Sequence, residues 1–259
     1  MRVYYLIALL FTFLYAGLIR PENDSQISYT HVLFEWEQSI DAASYEIQIS
    51  TDNLFQDIIV SQEMVSLIYI DEDHLDWNGQ YYWRIRPIYS SGTHGDWIPE
   101  QGFSILSSVT NPTITLHDSS SYQEGVTFLG SLDGNFSAAF DRDGNEIWNT
   151  QDNNIIMYNT NLYGELYGAY YDPIEGKYPA VELNLDNDYI WEEANEEFSH
   201  HDLLRLPYGN YMSIVESIEG GPIPPTGPWF EQCCNLMGGQ CNNCYNDFFP
   251  WVGDKIVIW

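Results

Sequence analysis

The sequence has 259 residues, of which 44% are hydrophobic and 16% aromatic, so it is long enough for one large or two ordinary domains and a substantial core. Its formal net charge of −30 argues against nucleic acid and anionic membrane surfaces as partners. Abundant Gly, Asp and Tyr, together with few basic residues, favour an all-β, turn-rich fold.

The N-terminus predicts an export signal. Arg2 supplies a positive charge, residues 3–14 form an apolar segment, and Ala16-Gly17 ends it with small residues. The segment is shorter than the roughly 20 residues of a membrane-spanning helix. We therefore expect a signal peptide at residues 1–17 and a periplasmic or extracellular protein, with no membrane contact beyond export. The alternative is an uncleaved membrane anchor.

Residues 27–106 show the period of β-strands. Tyr45, Ile47 and Ile49 alternate with polar residues, which places them on one face of a strand. Strands are predicted at 33–36, 44–50, 58–60, 67–70, 81–87 and 102–105. This succession of short strands predicts a β-sandwich.

The aromatic pattern of this region resembles a fibronectin type III module. The resemblance rests on Phe34-x-Trp36, Tyr45-x-Ile47-x-Ile49, the string 82–87 and Trp97. It implies a spacer or docking unit without chemistry of its own. We expect the aromatic side chains to fill the core, whereas exposed rings would indicate a carbohydrate-binding face.

A second pattern covers residues 113–259, after a linker at 107–112. The segment 136–148 predicts a hairpin closed by an Asp-Gly turn, and 180–191 repeats this design. The pairs Ile147-Trp148 and Ile190-Trp191 lie 43 positions apart, and Gly134-Asn135-Phe136 recurs as Gly209-Asn210-Tyr211. A period of about 40 to 45 residues with several strands per unit is typical of β-propeller blades.

The stretch 198–215 carries two of the six histidines side by side and predicts a hairpin with a Pro-Tyr-Gly-Asn turn. Its strings His200-His201-Asp202-Leu203 and Leu206-Pro207-x-Gly209-Asn210-Tyr211 resemble the His-His-Asp…Leu-Pro-Asn-Gly-Asn signature of the bacterial arylsulfate sulfotransferases. Tyr208 stands where that family more often has Asn.

This resemblance implies a secreted six-bladed β-propeller that transfers a sulfuryl group from an aryl sulfate to a phenol. Residues 113–259 suffice for about three blades, so we expect an all-β chain in which a fibronectin type III-like sandwich precedes an incomplete propeller. In the family, a histidine of a later blade becomes transiently sulfated. That nucleophile's motif has no match here, so we expect it beyond Trp259 and expect this chain alone to be inactive.

Within the motif, the resemblance implies that His201, with His200 as its neighbour, supports the reaction by holding substrate. The alternative is a pair of histidines that bond loop carbonyls or bind adventitious metal. Arg205 is the candidate substrate-binding cation because basic residues are few; its alternative is an ion pair with a carboxylate. In a regular strand the side chains of His201, Leu203 and Arg205 lie on one face, while those of His200 and Asp202 lie on the opposite face.

Four cysteines fall in the long segment that follows: Cys233, Cys234, Cys241 and Cys244. They lack the long separation between pairs that zinc ribbons use, and no histidine is near. Disulfides fit an exported chain and a long loop. Because adjacent cysteines seldom bond to each other, we expect Cys233 and Cys234 each to pair with Cys241 or Cys244; metal binding and free thiols are the alternatives.

No metal or cofactor is expected. The string Asp141-x-Asp143-Gly144-x-Glu146 has too few ligand positions for a calcium loop and predicts a turn. No phosphate-binding loop or dinucleotide motif occurs, which suits a donor that is itself an aryl sulfate. The expected partners are a small aryl sulfate and a phenol. The alternative function is that of a non-catalytic secreted propeller that binds polysaccharide or a protein partner.

Overall fold

Strands dominate the computed structural model, which describes residues 17–115, 118, 120–121, 125–161, 163–195, 197–221, 227–236, 238–239, 244 and 249–259. Among these residues there is a single short helix, so the all-β prediction is confirmed. No helix in this part of the chain has the length and apolar character needed to cross a membrane. Residues 1–16 of the predicted signal peptide lie outside the described residues. The chain divides into two compact units, residues 1–111 and residues 112–259.

The first unit is a sandwich of two sheets. Its strands are β1 (Leu18–Arg20), β2 (Ser25–Ile27), β3 (Val32–Trp36), β4 (Ala42–Ser50), β5 (Ile58–Met64), β6 (Ile68–Asp71), β7 (Gln80–Tyr89) and β8 (Gln101–Ile105). One sheet has the order β1-β3-β6 and the other the order β2-β8-β7-β4-β5. All pairs are antiparallel except β2 with β8. The two-sheet sandwich predicted from the sequence is thus observed.

Alternating apolar residues build the core of this unit. On β3, Val32, Phe34 and Trp36 are buried, whereas the residues between them are partly exposed. Trp83 on β7 is fully buried and meets Phe34 edge-on, with 5.2 Å between ring centroids. Such an aromatic pair adds about 0.5–1.5 kcal/mol to the stability gained from buried area. These aromatic residues of the fibronectin-like pattern therefore serve the core.

Trp97, another aromatic residue of that pattern, contacts two arginine side chains. The guanidinium groups of Arg84 and Arg86 lie over its ring at 4.2 and 4.4 Å, and Arg84 also lies 3.8 Å from the ring of Phe55. These cation–π contacts hold a half-buried indole against the strand β7 that carries both arginines.

The sequence pattern does not predict β1 or β2. Each has three residues, fewer than the four or so over which apolar and polar residues must alternate to mark a strand. Leu18 of β1 pairs with Trp36, and Ser25 of β2 pairs with Phe103 of β8. Both strands therefore depend on partners distant in sequence.

The second unit consists of three antiparallel sheets in succession along the chain. Their strands are β9 (Thr127–Ser131), β10 (Phe136–Phe140), β11 (Glu146–Asn149), β12 (Ile155–Thr160), β13 (Leu166–Tyr170), β14 (Ala180–Leu183), β15 (Tyr189–Glu192), β16 (Ser199–Arg205), β17 (Tyr211–Gly221) and β18 (Phe249–Ile258). The orders are β11-β10-β9, β12-β13-β14-β15 and β16-β17-β18. Each described strand pairs with its neighbours in the chain, so each sheet is a meander. Closure of these sheets into a ring stays a prediction.

The two sequence repeats differ in what they mark in these sheets. Strand β10 pairs with β11, and β14 pairs with β15, in one register that is offset by 43 residues: Ala139 lies opposite Trp148, as Glu182 lies opposite Trp191. The two Ile-Trp pairs therefore occupy equivalent strands, and their spacing measures the structural repeat. By contrast, the turn that Gly209 closes before β17 has the hydrogen bonds of the turn that Gly164 closes before β13. Gly134 precedes β10 and so is not equivalent to Gly209, although both have left-handed backbone, with φ of +89° and +88°.

Strand β12 lies beside strands of both neighbouring sheets. The Ser137 hydroxyl on β10 donates to the Ile155 carbonyl at 2.9 Å and accepts from the Met157 amide at 2.7 Å. On the other side, the Asn159 amide donates to the Leu203 carbonyl of β16 at 3.1 Å. Strand β12 thus contacts β9 and β10 of the first sheet and β16 of the third sheet.

The helix α1 (Pro228–Leu236) belongs to the long connection between β17 and β18. Its buried Cys233 forms a disulfide with Cys244, with 6.0 Å between their Cα atoms. Cys234 is disulfide-bonded as well, and Cys241 lies outside the described residues. None of the described cysteines is free, so the prediction of a disulfide is confirmed.

Candidate functional site

The two adjacent histidines lie on the first strand of the predicted hairpin. β16 pairs with β17 in the register Leu203 to Ser213, and the turn between them is closed by the Leu206 amide, which donates to the Asn210 carbonyl at 2.7 Å. Gly209 supplies the left-handed residue of this turn. Local turn chemistry therefore places the histidines at the start of a sheet strand.

The backbone at His201 departs from a regular strand. Its φ is +71°, and the register with β17 shifts between Ser199 and Leu203. A left-handed conformation is uncommon for a residue with a Cβ atom and costs about 1–2 kcal/mol. The predicted alternation, with His201 on the face of Leu203, is therefore interrupted: Leu203 is buried, while His201 is exposed. Strained residues of this kind are concentrated at functional sites.

His200 is held by a carboxylate from the far strand of the sheet. Its Nε2 lies 2.9 Å from Oδ1 of Asp254 on β18. The His201 ring meets the His200 ring edge-on, with 4.6 Å between centroids. Asp202, the acidic residue of the motif, instead accepts a hydrogen bond from the amide of Asn159. The carboxylate that orients His200 is thus Asp254.

Both histidines line a cavity of about 610 Å³, a size typical of small-molecule sites. Aromatic side chains form much of its wall. The Tyr178 and Phe198 rings meet edge-on at 4.9 Å, and the Tyr158 hydroxyl donates to the Ser199 carbonyl at 2.9 Å. Burial raises the pKa of Tyr158, with a smaller contribution from Tyr178, so its phenol stays neutral and cannot act as a base near neutral pH.

Carboxylates complete the polar part of the cavity. Glu216 on β17 and Asp254 on β18 both line it, and its described lining contains no Lys or Arg. The N–H groups of His200 and His201 are therefore the cavity's candidate donors to an anion. An anionic ligand must approach them against the repulsion of two carboxylates.

Arg205 lies away from the histidine cavity. Its Nη1 is 3.3 Å from Oε1 of Glu165 and 3.5 Å from Oε1 of the buried Glu182. Glu182 also accepts a hydrogen bond from the Tyr211 hydroxyl. Hydrogen bonds, first from Tyr167 and then from Asn161, lower the pKa of Glu165. The structure thus places Arg205 of β16 in ion pairs with residues of the neighbouring sheet, and its role in substrate binding stays a prediction.

No group of three or more His, Cys, Asp or Glu within the described residues is arranged to hold a metal ion. The Asp141 to Glu146 string forms a turn in which Oδ1 of Asp141 accepts from the amides of Asp143 and Asn145, both at 2.8 Å. Its carboxylate is thus engaged by the backbone of its own turn.

Sequence reasoning missed the cavity residues outside the His-His-Asp motif: Tyr158, Tyr178, Phe198, Glu216 and Asp254. Asp254 lies on β18 and is 54 positions from His200 in the sequence. No local signal connects the two residues. The pairing of β17 with β18 brings them together.

No family model matches the chain, and no curated protein matches it. Among solved structures, it is similar to a Fn3-like protein from Clostridium thermocellum, with 16% identity, a TM-score of 0.28, and coverage of 36% of this chain and 93% of that one. A human fibronectin type III domain matches with 17% identity, a TM-score of 0.28, and coverage of 40% and 82%. A beta-1,2-glucanase from Parabacteroides distasonis matches with 16% identity and a TM-score of 0.27, over 36% of this chain and 12% of that protein. With TM-scores this low, the matches add nothing to what the sheets of the first unit show directly.

Proposed function

We propose that the histidine cavity binds an aryl sulfate and a phenol in an arylsulfate sulfotransferase-like reaction. The observation that carries the proposal is the cavity itself, in which His200 and His201 lie beside Tyr158, Tyr178 and Phe198. Aromatic walls suit the aryl group of the donor, and imidazole N–H groups suit the oxygens of its sulfate. The left-handed backbone at His201 supports the assignment of this residue to the site.

The proposed chemistry proceeds in two transfers through a histidine nucleophile. In the first, a S–N bond forms to an imidazole while the S–O bond to the donor phenol breaks, and that phenol leaves with a proton. In the second, the acceptor phenol loses its proton and forms a new S–O bond as the S–N bond breaks. The resemblance assigns His201 to holding the sulfuryl oxygens rather than to the attack on sulfur, and no residue of this chain is proposed as the nucleophile.

His200 and His201 have different surroundings, which suggests different tasks. Asp254 accepts from one nitrogen of His200 and so fixes the orientation of that ring. His201 is exposed to the cavity and meets the His200 ring edge-on, so its donor is available to a ligand. We assign substrate contact to His201 and positioning to His200 with Asp254.

The wider fold belongs to the same proposal. The three meander sheets of the second unit are proposed to be blades of a β-propeller, because they follow one another along the chain and the hairpins β10–β11 and β14–β15 repeat in one register at an offset of 43 residues. Export is proposed from the N-terminal sequence, and the disulfide fits an oxidising compartment.

The proposal is tested by calorimetric titration of the purified chain with 4-nitrophenyl sulfate. We expect saturable binding that His201→Ala weakens about tenfold or more, since a hydrogen bond to a charged group is lost. His94→Ala is the matched control, because it removes a half-exposed histidine from the first unit. Absence of saturable binding, or equal affinity in the wild type and His201→Ala, contradicts the proposal.

Glu216→Gln identifies the charge of the ligand. An aryl sulfate is repelled by this carboxylate, so its removal should tighten binding about two- to fivefold. A cationic or hydroxyl-rich ligand would instead lose a partner and bind more weakly. Weaker binding of 4-nitrophenyl sulfate to Glu216→Gln would therefore place the sulfate elsewhere than the histidine cavity.

A further inference from the structure

A second cavity, of about 630 Å³, lies in the second unit, and its described lining shares no residue with that of the histidine cavity. It forms at one end of the four-stranded sheet, where the connection from β11 enters β12 and the turn from β14 enters β15. Two tyrosines, Tyr170 and Tyr189, stand at the ends of β13 and β15 and line it. Its size is within the range of small-molecule sites.

The two tyrosines offer ring surface to this cavity. Their centroids are 6.4 Å apart and their planes are inclined by 56°, while Tyr189 remains 41% exposed. Burial, with smaller contributions from Glu192 and Tyr170, raises the pKa of Tyr189 to about 12, so its phenol is neutral under physiological conditions. Ile155 also borders the cavity but is fully buried, so the apolar surface open to a ligand comes from the two tyrosines.

The remaining lining is made of short amide and carboxylate side chains from two turns: Asp152, Asn153, Asn154, Asn187 and Asp188. These turns are tied together, because the Asn187 side-chain amide donates to the Asn149 carbonyl at 3.2 Å. The Asp188 backbone amide donates to Oδ1 of Asn184 at 2.9 Å, and the Asn184 side chain donates back to the Asp188 carboxylate at 3.0 Å. The side chains of Asn187 and Asp188 are therefore positioned before any ligand arrives, which lowers the entropy cost of binding.

The chemistry of this lining selects among ligand classes. Among the described residues this lining contains two carboxylates and no Lys, Arg or His, which disfavours an anion. Three amides supply both donors and acceptors, as a ligand with many hydroxyl groups requires. Tyrosine rings cover C–H faces while keeping a polar tip in water. One of the carboxylates, Asp188, already accepts from Asn184, which makes a cation a poorer match than a polyol.

We propose that this second cavity binds a neutral saccharide, with the rings of Tyr170 and Tyr189 against the sugar faces and the Asn and Asp side chains on its hydroxyls. The proposal is independent of sulfuryl transfer at the histidines. It assigns to the second unit a binding site for glycan chains in addition to the histidine cavity.

The test is calorimetric titration of the whole chain with neutral trisaccharides of glucose, mannose and galactose, and with tetramethylammonium and a galacturonic acid trisaccharide for comparison. We expect at least one neutral trisaccharide to bind saturably. Tyr189→Ala should weaken that binding about five- to tenfold, because it removes one aromatic contact. Tyr163→Ala is the matched control, since Tyr163 is 90% exposed and does not line the cavity.

Asn153→Ala provides a second variant on an exposed position, and it should also weaken binding while leaving the fold intact. His201→Ala should leave trisaccharide binding unchanged, so failure at the histidines and failure at this cavity are distinguishable. The proposal is overturned if no neutral trisaccharide binds, if Tyr189→Ala and Tyr163→Ala have equal effects, or if only tetramethylammonium or the acidic trisaccharide binds.

Discussion

The contact between β9 and β12 supports a quantitative prediction for Gly130→Ala. A Cβ atom at Gly130 would lie 2.2 Å from the Met157 carbonyl oxygen, 3.0 Å from its nitrogen and 3.1 Å from its carbonyl carbon. All three are backbone atoms, so no side chain can rotate away to make room. Relief requires β9 and β12 to separate by about 1 Å, and overpacking of this kind typically costs about 1–3 kcal/mol.

We expect Gly130→Ala to lower the free energy of unfolding of the second unit by about 2 kcal/mol, which corresponds to roughly 4–8 °C in Tm. Gly253→Ala is the control, because no atom of the described residues lies within 4 Å of the added Cβ, and it should change stability by less than about 0.5 kcal/mol. Urea denaturation combined with hydrogen exchange of the β12 amides measures the effect in the right unit. Equal stability of Gly130→Ala and Gly253→Ala would refute this packing and the cavity wall that depends on it.

Three further outcomes are expected. Tyr211→Phe removes a hydrogen bond to the buried Glu182 and should cost about 1–3 kcal/mol in urea denaturation, whereas Tyr208→Phe, at a 96% exposed position, should be neutral. Asp254→Asn removes the anionic partner of His200, so it should weaken 4-nitrophenyl sulfate binding severalfold and alter the pH dependence of that binding. If Asp254 had a purely structural role, the pH dependence of binding would be unchanged. Burial and carboxylate contacts raise the pKa of several tyrosines in the folded chain above the ordinary value of about 10. Between about pH 10 and 12 the unfolded chain therefore loses these protons before the folded chain does. The free energy of unfolding should fall over this pH range. Tyrosinate absorbance should show that these tyrosines ionise at higher pH in the native protein than in urea. The tyrosines concerned are Tyr69, Tyr158, Tyr167, Tyr189 and Tyr211, the last two with pKa values of about 12.

Structural features that depend on residues close together in the sequence were predictable. The alternation of Tyr45, Ile47 and Ile49 marks β4 because side chains of a strand point to opposite faces in turn. The hairpin from β16 to β17 was predictable because Gly209 provides the left-handed turn residue at the required place. Both signals are contained in fewer than about 20 consecutive residues.

Features that depend on distant contacts were not predictable. The left-handed backbone of His201 breaks the alternation assumed for β16, and no residue type in the motif signals it. Asp254 reaches His200 through the pairing of β17 and β18 across the long connection. The ion pairs of Arg205 join strands of two sheets, so the sequence left both of its roles open.

The two sequence repeats differ in value. Ile147-Trp148 and Ile190-Trp191 occupy equivalent strands, because the hairpins β10–β11 and β14–β15 share one register at an offset of 43 residues. Trp148 is buried and donates to the Leu185 carbonyl at 2.8 Å, whereas Trp191 stacks on Tyr211 at 3.9 Å. The glycine repeat joins turns at different places, since the turn of Gly209 corresponds to that of Gly164 and not to that of Gly134. A glycine at a turn is thus a weaker marker of this repeat than a hydrophobic pair on a strand of fixed register.

The most direct test of the central claim follows the imidazole signals of His200 and His201 by heteronuclear NMR during a titration with 4-nitrophenyl sulfate. If the histidine cavity holds the aryl sulfate, both signals shift saturably with one midpoint, and the signal of His94 in the first unit stays unchanged. If His200 and His201 are unperturbed at saturating ligand, or if all histidines shift together in proportion to added ligand, the cavity is not the aryl sulfate site.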